Sequence, residues 1–339
     1  MSNPVLVEVL RGELVESAHR GAVCVVDADG ATVLALGDVA QPVFPRSAVK
    51  AFQALPLVES GAADRYRFGD QELAIACGSH SGEPAHVTAA ERMLARAGLD
   101  ASALECGAHR PSHHPSADAL VRAGRAPSPL HNNCSGKHAG FLCVACHLGV
   151  DRHGYVAPEH PVQRAVRATI EELTSTALGE DRCGVDGCSV PTWAVPLKNL
   201  AHGFARFGTG HGLDAARAKA AARLRAACAR EPFFVAGTGR FATLAMERFG
   251  ERAFLKGGAE GVFCAALPDQ GLGIAVKCDD GAGRAAEAVA AALLIRLMKL
   301  EAGERAVLDR FAQPVLNNWN GIEVGRVCPA AAVLNDTVS

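Results

Sequence analysis

Ser47 and Lys50 are the pair of residues in this sequence best suited to nucleophilic chemistry. They lie three positions apart in the segment PRSAVK at 45–50, and the apolar residues that follow predict the first turns of a buried helix. Side chains at positions i and i+3 share a helix face, so the amine would reach the hydroxyl. Burial disfavours the charged form of a lysine, and a neutral amine can take the serine proton. This is the arrangement of S-x-x-K acyl-transfer enzymes, and the alternative is a helix-capping serine beside a solvated lysine.

A second candidate serine is Ser79, in the segment CGSHSGE at 77–83. It follows a short apolar run at 72–77 that we interpret as a strand leading into a turn. The segment is not a G-x-S-x-G nucleophile elbow, because Ser81 stands where the second glycine is required. The adjacent His80 would point to the opposite side of an extended backbone. Taken alone, the local pattern therefore favours a turn residue at Ser79 over a nucleophile.

Lysine is scarce in this chain, which makes each lysine informative. There are 7 lysines against 27 arginines, and Lys256 lies in the segment KGG at 256–258 between two apolar runs. In S-x-x-K enzymes a K-[ST]-G strand lines the opposite wall of the cleft, and here glycine replaces the serine or threonine. The alternative is an ordinary lysine at the end of a strand before a glycine turn.

Thiols and nitrogen donors cluster in the segment HNNCSGKH at 131–138. At a helix start, Cys134, Lys137 and His138 would lie on one face. A later segment, VDGC, adds the thiol of Cys188 and a carboxylate. Two thiolates and a nitrogen ligand are suited to tetrahedral Zn²⁺, and a metal would enforce the neutral form that a lysine ligand needs. The spacing leaves both a zinc site and unliganded cysteines open.

The segment AGTGR at 236–240 is a glycine-rich turn that ends in Arg240. Such backbone can approach a small ligand closely, and a guanidinium can bind a carboxylate through two hydrogen bonds. The alternative is a turn that simply ends a helix.

Composition excludes several classes of protein. The chain has 339 residues, 49% hydrophobic content, a net charge of −2 and 12 cysteines. That content supports a large core, and the absence of basic clusters argues against nucleic acid or an anionic membrane surface as a partner. No segment has the length and apolarity of a membrane span, and the N-terminal residues lack a signal-peptide pattern. Many cysteines without an export signal predict a reducing, cytoplasmic location.

The elements that must position these residues are strands at both ends of the chain with helices between them. Strands are predicted at 5–10 and 321–327, with hairpins formed by 21–26 and 31–36 and by 261–267 and 271–277. Helices are predicted at 84–98, from about 136 to 146, at 161–173, 213–229 and 283–300, and a long structured loop at 106–134. The pattern predicts an α+β fold, sandwich-like, with one mainly antiparallel sheet flanked by helices. We predict one domain over 1–339, with a helical subregion at about 47–250 inserted between the sheet segments.

Together these motifs resemble the rhizobial-type L-asparaginases, also called class 3 or thermolabile. The similar segments are 45–50, 75–83, 131–138, 185–188 and 236–240, and the resemblance spans nearly the whole chain. It implies a fold like that of serine β-lactamases, penicillin-binding proteins and serine-type glutaminases. It also implies hydrolysis of L-asparagine to L-aspartate and ammonia by a homodimer.

The resemblance implies a role for each candidate residue. Ser47 would be the nucleophile and Lys50 its base, while Ser79 and Lys256 would form a second tandem, against our local interpretation of Ser79. One zinc ion per chain would be bound by three residues, namely Cys134, Lys137 and Cys188. Asp186 and His138 would lie beside the zinc and the substrate. Apart from the resemblance, Arg46 or Arg240 could hold the substrate carboxylate, and the sequence does not decide between them.

Three other functions stay open at this stage. A serine-type glutaminase would use the same chemistry in a pocket one methylene longer. A zinc-dependent amidohydrolase would attack with metal-bound hydroxide and would not need Ser47. A binding protein for amino acids would release no ammonia.

Overall fold

The computed structural model describes residues 2–334 and divides them into two compact units. The first unit contains the segment ending at Ala48, the segment Val195–His211 and the segment from Arg252 onward. The second unit contains Val49–Ala194 and Gly212–Glu251. The predicted single domain with an inserted helical subregion stays a prediction.

The longer strands come from the two ends of the chain, and three short strands come from its middle. The strands are β1 Val5–Arg11, β2 Leu14–Asp27, β3 Thr32–Leu36, β4 Pro42–Val43, β5 Cys183–Val185, β6 Pro191–Trp193, β7 Val195–Pro196, β8 Phe254–Gly257, β9 Val262–Leu267, β10 Leu272–Cys278, β11 Val315–Asn317 and β12 Glu323–Pro329.

Helices occupy most of the remaining sequence. The α-helices are α1 Lys50–Gln53, α2 Leu55–Glu59, α3 Ala62–Arg65, α4 Asp70–Ala76, α5 Pro84–Arg96, α6 His114–Arg122, α7 Ser135–Leu148, α8 Pro161–Thr174, α9 Leu197–Thr209, α10 Ala215–Arg230, α11 Pro232–Ala236, α12 Phe241–Phe249, α13 Gly283–Leu297, α14 Ala302–Ala312 and α15 Ala331–Leu334. Single 3₁₀ turns form at Arg46–Val49, Ala101–Ala103, Pro129–His131, Glu180–Arg182, Gly250–Arg252 and Pro268–Gln270.

An antiparallel sheet forms the core of the first unit. Its strand order is β11-β12-β1-β2-β10-β9-β8, with β3 paired to β2. The first strand therefore pairs with the last, and Val7 lies opposite Pro329. Helices α9 and α13 pack against this sheet. At Gly273 a Cβ would come within 2.0 Å of the Ala201 carbonyl oxygen, so only glycine lets α9 approach β10 this closely. The predicted α+β fold with one antiparallel sheet is confirmed.

The second unit is built around α7, which is buried from Ser135 to Ala145 and contacts α4 and α5. Its first turn abuts the end of α4, since a Cβ at Gly136 would lie 2.6 Å from the Ile75 carbonyl oxygen. This close contact places the segment 131–138 against the segment that follows α4.

Two predictions of local structure were wrong. The run at 72–77 belongs to α4, where Glu72 accepts a hydrogen bond from the Gly69 amide at 2.9 Å. Every residue of this run is buried, and a short, mostly apolar run looks the same in a strand and in a buried helix. The predicted loop at 106–134 contains α6, which buries only Ala117 and therefore shows little hydrophobic periodicity. The predicted helices at 84–98 and from about 136 are confirmed.

No helix within residues 2–334 is both long enough and apolar enough to cross a membrane.

Candidate active site

Ser47 lies half-buried in the 3₁₀ turn Arg46–Val49 of the first unit. The helix predicted at this point begins as that turn and continues as α1 from Lys50, which belongs to the second unit. Arg46 has a φ of +51°, in the left-handed region that residues other than glycine rarely adopt. Such conformations cost energy and cluster at functional sites, so the backbone before Ser47 is held in place by its surroundings.

The Ser47 turn contacts the segment that carries Lys256. A Cβ at Gly258 would lie 2.6 Å from the Pro45 carbonyl oxygen and 3.3 Å from the Ala48 amide nitrogen. Glycine at 258 therefore allows the chain after β8 to pack directly on this turn. Lys256 is buried, and its Nζ donates a hydrogen bond to the Gly257 carbonyl at 2.8 Å. The first unit thus brings the Lys256 segment and the Ser47 turn together.

Lys50 is one of the most buried charged side chains, with 1% of its surface exposed. Its Nζ donates hydrogen bonds to the Gly78 carbonyl at 2.7 Å and to the Asn133 carbonyl at 3.1 Å. A hydrogen bond also joins the Lys50 side chain to Cys134, so Lys50 has three partners, as many as an ammonium has N–H groups. To act as a base, Lys50 would first have to give up one of these protons.

Ser79 is held by its backbone in the segment after α4. Its amide donates a hydrogen bond to the Val235 carbonyl at 2.7 Å, and a Cβ on Gly78 would lie 2.4 Å from the Phe234 carbonyl oxygen. The segment therefore needs glycine at 78 to pack against α11. Ser79 belongs to the second unit and Lys256 to the first, and their pairing stays a prediction.

Glu83 joins the two glycine-rich motifs, which sequence reasoning did not foresee. Its Oε1 accepts hydrogen bonds from the Ser81 hydroxyl at 2.6 Å and the Thr238 amide at 2.9 Å, and its Oε2 accepts from the Thr238 hydroxyl at 2.8 Å. Burial raises the pKa of Glu83, but the hydrogen bonds from Ser81 and Thr238 outweigh it and lower the pKa overall. The carboxylate thus binds segment 77–83 to segment 236–240, and Arg240 is exposed at the N-cap of α12.

His80 links segment 77–83 to segment 131–138. Its Nδ1 accepts a hydrogen bond from the Gly82 amide at 3.2 Å, and its Nε2 lies 2.9 Å from Ser135 Oγ. The Ser135 hydroxyl donates to the Leu130 carbonyl, so it accepts the proton of His80 Nε2. Burial lowers the pKa of His80, which keeps the ring neutral and both nitrogens satisfied. His80 is therefore a structural histidine and does not activate Ser79.

Cys134, Lys137 and Cys188 come together in the second unit. Lys137 Nζ donates a hydrogen bond to Cys188 Sγ at 3.1 Å, and all three side chains are buried. The hydrogen bond from Cys188 lowers the pKa of Cys134 well below its usual range, and the charges of Lys50 and Lys137 lower it further. The same hydrogen bond raises the pKa of Cys188. The cluster therefore brings two sulfurs and an amine together, and Cys134 Sγ also lies 3.3 Å from Asn133 Oδ1.

His138 and Asp186 lie beside this cluster. His138 Nδ1 is 2.8 Å from the Tyr155 hydroxyl, which also accepts a hydrogen bond from the Glu105 amide at 2.9 Å. His138 Nε2 is buried and has no hydrogen-bond partner among the described residues. Burial lowers the pKa of His138, and the charges of Lys137 and Lys50 lower it further. Asp186 is half-buried between β5 and β6, and its charge helps to raise the pKa of Lys137.

The residues present fit the predicted zinc site in part. Two thiols are ligands that Zn²⁺ prefers, whereas a lysine amine is an uncommon ligand that can bind only after it has lost its proton. No group of three or more His, Cys, Asp or Glu side chains suited to a metal occurs within residues 2–334. A metal at this place would therefore need Lys137 as a ligand. The adjacent residue His138 has a buried Nε2 without a hydrogen-bond partner among the described residues.

Comparisons with known proteins identify the family. The model of a family described as L-asparaginase II matches residues 7–329. No curated protein sequence matches the chain. A β-lactamase from Mycobacterium bovis is 16% identical, with 86% of this chain and 94% of that chain covered and a TM-score of 0.36. The native form of Mglu is also 16% identical, with 84% and 66% covered and a TM-score of 0.34. Structural likenesses this weak support no assignment of activity.

Proposed function

We propose a serine mechanism for this chain, which belongs to the L-asparaginase II family and is an asparaginase-type hydrolase. The reaction is hydrolysis of the side-chain amide of L-asparagine to L-aspartate and ammonia. The observation that carries the proposal is the buried amine of Lys50, which lies three residues after Ser47 and is held by two carbonyl oxygens.

In the first half of the reaction, Ser47 Oγ attacks the side-chain amide carbon and Lys50 takes the hydroxyl proton. The carbon–nitrogen bond then breaks, the leaving nitrogen is protonated, and ammonia departs. The product on the protein is a β-aspartyl ester of Ser47. The carbonyls of Gly78 and Asn133 support this role, because they hold two N–H groups of Lys50 in place, and the third donor, which bonds to Cys134, is the one that must lose its proton before Lys50 takes the proton of Ser47.

In the second half, water attacks the ester carbon and the ester bond to Ser47 breaks, which releases L-aspartate. We assign proton relay in this step to the second tandem, Ser79 and Lys256. Two observations support the assignment: the amide of Ser79 is fixed by the Val235 carbonyl, and the Lys256 segment packs on the Ser47 turn.

Charged groups of the substrate would be bound by residues around the two tandems. Arg46 precedes the nucleophile directly and is the stronger candidate for the substrate carboxylate, while Arg240 is exposed at the end of segment 236–240. Asp186 and His138 lie beside the thiol cluster and would contact the substrate there.

A zinc ion would be held by Cys134, Lys137 and Cys188. When bound, it would supply a Lewis acid that attracts the α-amino or carboxylate group of the substrate. The role of the chain is to bury the two sulfurs and the amine together, as the contact between Lys137 and Cys188 supports. Metal analysis before and after chelation tests whether the protein contains zinc. If the metal-free protein keeps the same kcat and KM, any zinc is structural.

The deciding experiment is ammonia release from L-asparagine by the wild type, Ser47→Ala and Lys50→Met. Ser112→Ala is the matched control, because Ser112 is an exposed serine of the second unit. We expect both site variants to lose activity by about a thousandfold or more and the control to keep it. Activity that survives Ser47→Ala would instead support metal-bound hydroxide as the nucleophile.

Two further measurements test what the family leaves open. The ratio of kcat/KM for L-asparagine to that for L-glutamine separates an asparaginase from a glutaminase with the same serine chemistry. Light scattering tests the predicted homodimer. The cytoplasmic location predicted from the cysteines also stays a prediction.

A further inference from the structure

A cavity lies between α5 and α6 of the second unit, apart from the candidate catalytic residues. It encloses about 450 Å³, which is within the usual range for small-molecule sites. Its walls are mainly apolar and come from the start of α5 and one side of α6. The apolar lining residues are Pro84, Val87, Pro115, Ala119, Leu120 and Ala123.

Helix α6 leaves its apolar side chains available to an occupant. Of its nine residues only Ala117 is buried in the protein. Leu120 is half-buried and Ala119 is exposed, and both line the cavity. Covering these side chains with an apolar molecule would remove their surface from water, which favours binding.

Two nitrogen donors line the cavity beside the hydroxyls of Thr88 and Ser116. Arg125 lines it with an exposed side chain that forms no hydrogen bond or ion pair within the described part of the chain. His131 lines it as well, and its Nδ1 accepts a hydrogen bond from the Ser128 amide at 3.0 Å. Burial lowers the pKa of His131, and the nearby guanidinium of Arg125 lowers it further, so the neutral ring carries its proton on Nε2. Among residues 2–334, no carboxylate lines the cavity.

We propose that this cavity binds a small apolar monocarboxylate, such as a medium-chain or aromatic acid. The apolar body packs between α5 and α6, and the carboxylate binds the Arg125 guanidinium and the Nε2–H of His131. The site is separate from the tandems and the thiol cluster, so the inference does not depend on the serine mechanism.

Titration calorimetry with octanoate tests the proposal, with octanol and octylamine as probes of the same chain length. The wild type should bind octanoate at least about tenfold more tightly than octanol, and octylamine least tightly, because only the carboxylate can pair with Arg125. Arg125→Gln should weaken octanoate binding by about tenfold and leave octanol unchanged. The control is Arg122→Gln, an exposed arginine on α6 that does not line the cavity, and it should bind octanoate as the wild type does.

A second variant tests the place of binding. Ala119→Phe puts a ring into the space between the helices and should abolish binding of both octanoate and octanol, with an unchanged circular dichroism spectrum. The proposal is overturned if octanol binds as tightly as octanoate, if Arg125→Gln and Arg122→Gln behave alike, or if octanoate gives no heat of binding at millimolar concentration. If Ala119→Phe does not fold, the exposed Arg125→Gln and Arg122→Gln pair decides the question alone.

Discussion

Removal of the Glu83 carboxylate should destabilise the protein far more than removal of an ordinary surface carboxylate. Glu83 accepts three hydrogen bonds, from the Ser81 hydroxyl and from the amide and hydroxyl of Thr238. Glu83→Ala deletes all three and leaves the buried Ser81 hydroxyl without this acceptor. Glu83→Gln keeps the shape of the side chain and can keep all three hydrogen bonds, because an amide NH₂ can donate to the Thr238 hydroxyl.

The magnitude follows from the number and type of these bonds. Hydrogen bonds to a charged group contribute about 1.5–3 kcal/mol each, and bonds that share one carboxylate are not additive. The side chain of Glu83 is only 11% exposed, so solvent screens these bonds little. We expect Glu83→Ala to lower the free energy of unfolding by about 2–4 kcal/mol and Glu83→Gln by about 1 kcal/mol.

Urea denaturation at pH 7 measures both values. The matched control is Glu91→Ala, an exposed glutamate on the same helix α5, which should change the free energy of unfolding by less than about 0.5 kcal/mol. Because Glu83 also fixes the segment whose Gly78 carbonyl binds Lys50, kcat/KM of Glu83→Ala should fall by about tenfold or more. Equal free energies of unfolding for Glu83→Ala and Glu91→Ala would refute the proposed role of the Glu83 hydrogen bonds.

The same carboxylate should make stability depend on pH in the acid range. The pKa of Glu83 is lower in the folded protein than in the unfolded chain, so the unfolded chain binds its proton first as pH falls. Its contribution is therefore complete above the ordinary glutamate range and is lost as pH falls through the folded-state pKa. The Glu83→Gln protein should lose less stability than the wild type between neutral and acid pH, and parallel stability curves would contradict this.

Further predictions concern close packing and a buried hydroxyl. Gly78→Ala should cost about 2–4 kcal/mol, because its Cβ would come within 2.4 Å of the Phe234 carbonyl oxygen. In the control Gly283→Ala no described residue beyond its own helix and chain neighbours comes within 4 Å of the new Cβ, so this change should be neutral or slightly stabilising when both variants are compared in thermal melts. Tyr155→Phe removes the hydroxyl that contacts His138 Nδ1 and should lower the free energy of unfolding, measured by urea denaturation, by about 1–3 kcal/mol. A loss below about 0.5 kcal/mol would contradict a stabilising contact.

The sheet was predictable because its signals are local. The turn at 27–30 and the apolar runs on either side of it specify the β2–β3 hairpin, and the same pattern specifies β9 and β10. The cluster of Cys134, Lys137 and Cys188 was also expected, although most of that expectation came from the family resemblance. Spacing places Cys134 and Lys137 on one helix face, but it cannot show that a thiol from a loop some fifty residues later will join them.

The parts that were missed depend on contacts distant in sequence. The run at 72–77 is helical because α7 packs on it through Gly136, and its own residues carry no sign of that partner. The role of Glu83 could not be read from segment 77–83, since its partner Thr238 follows about 150 residues later. A glutamate between a glycine and a proline reads only as the start of a helix.

The pairing of β1 with β12 has a consequence for how the chain is made. Synthesis from the N-terminus delivers β1 and β2 first, but their neighbours β10 and β12 emerge only after nearly all the rest of the chain. Contacts between such distant positions are slow to form, because a long loop must close before they give any stability. Until then β1, β2 and β3 can pair only with one another, and the strand edges that later receive β12 and β10 are open to wrong partners. The β-sheet is therefore completed last, and a chaperone that shields its first strands during translation should raise the yield of active protein.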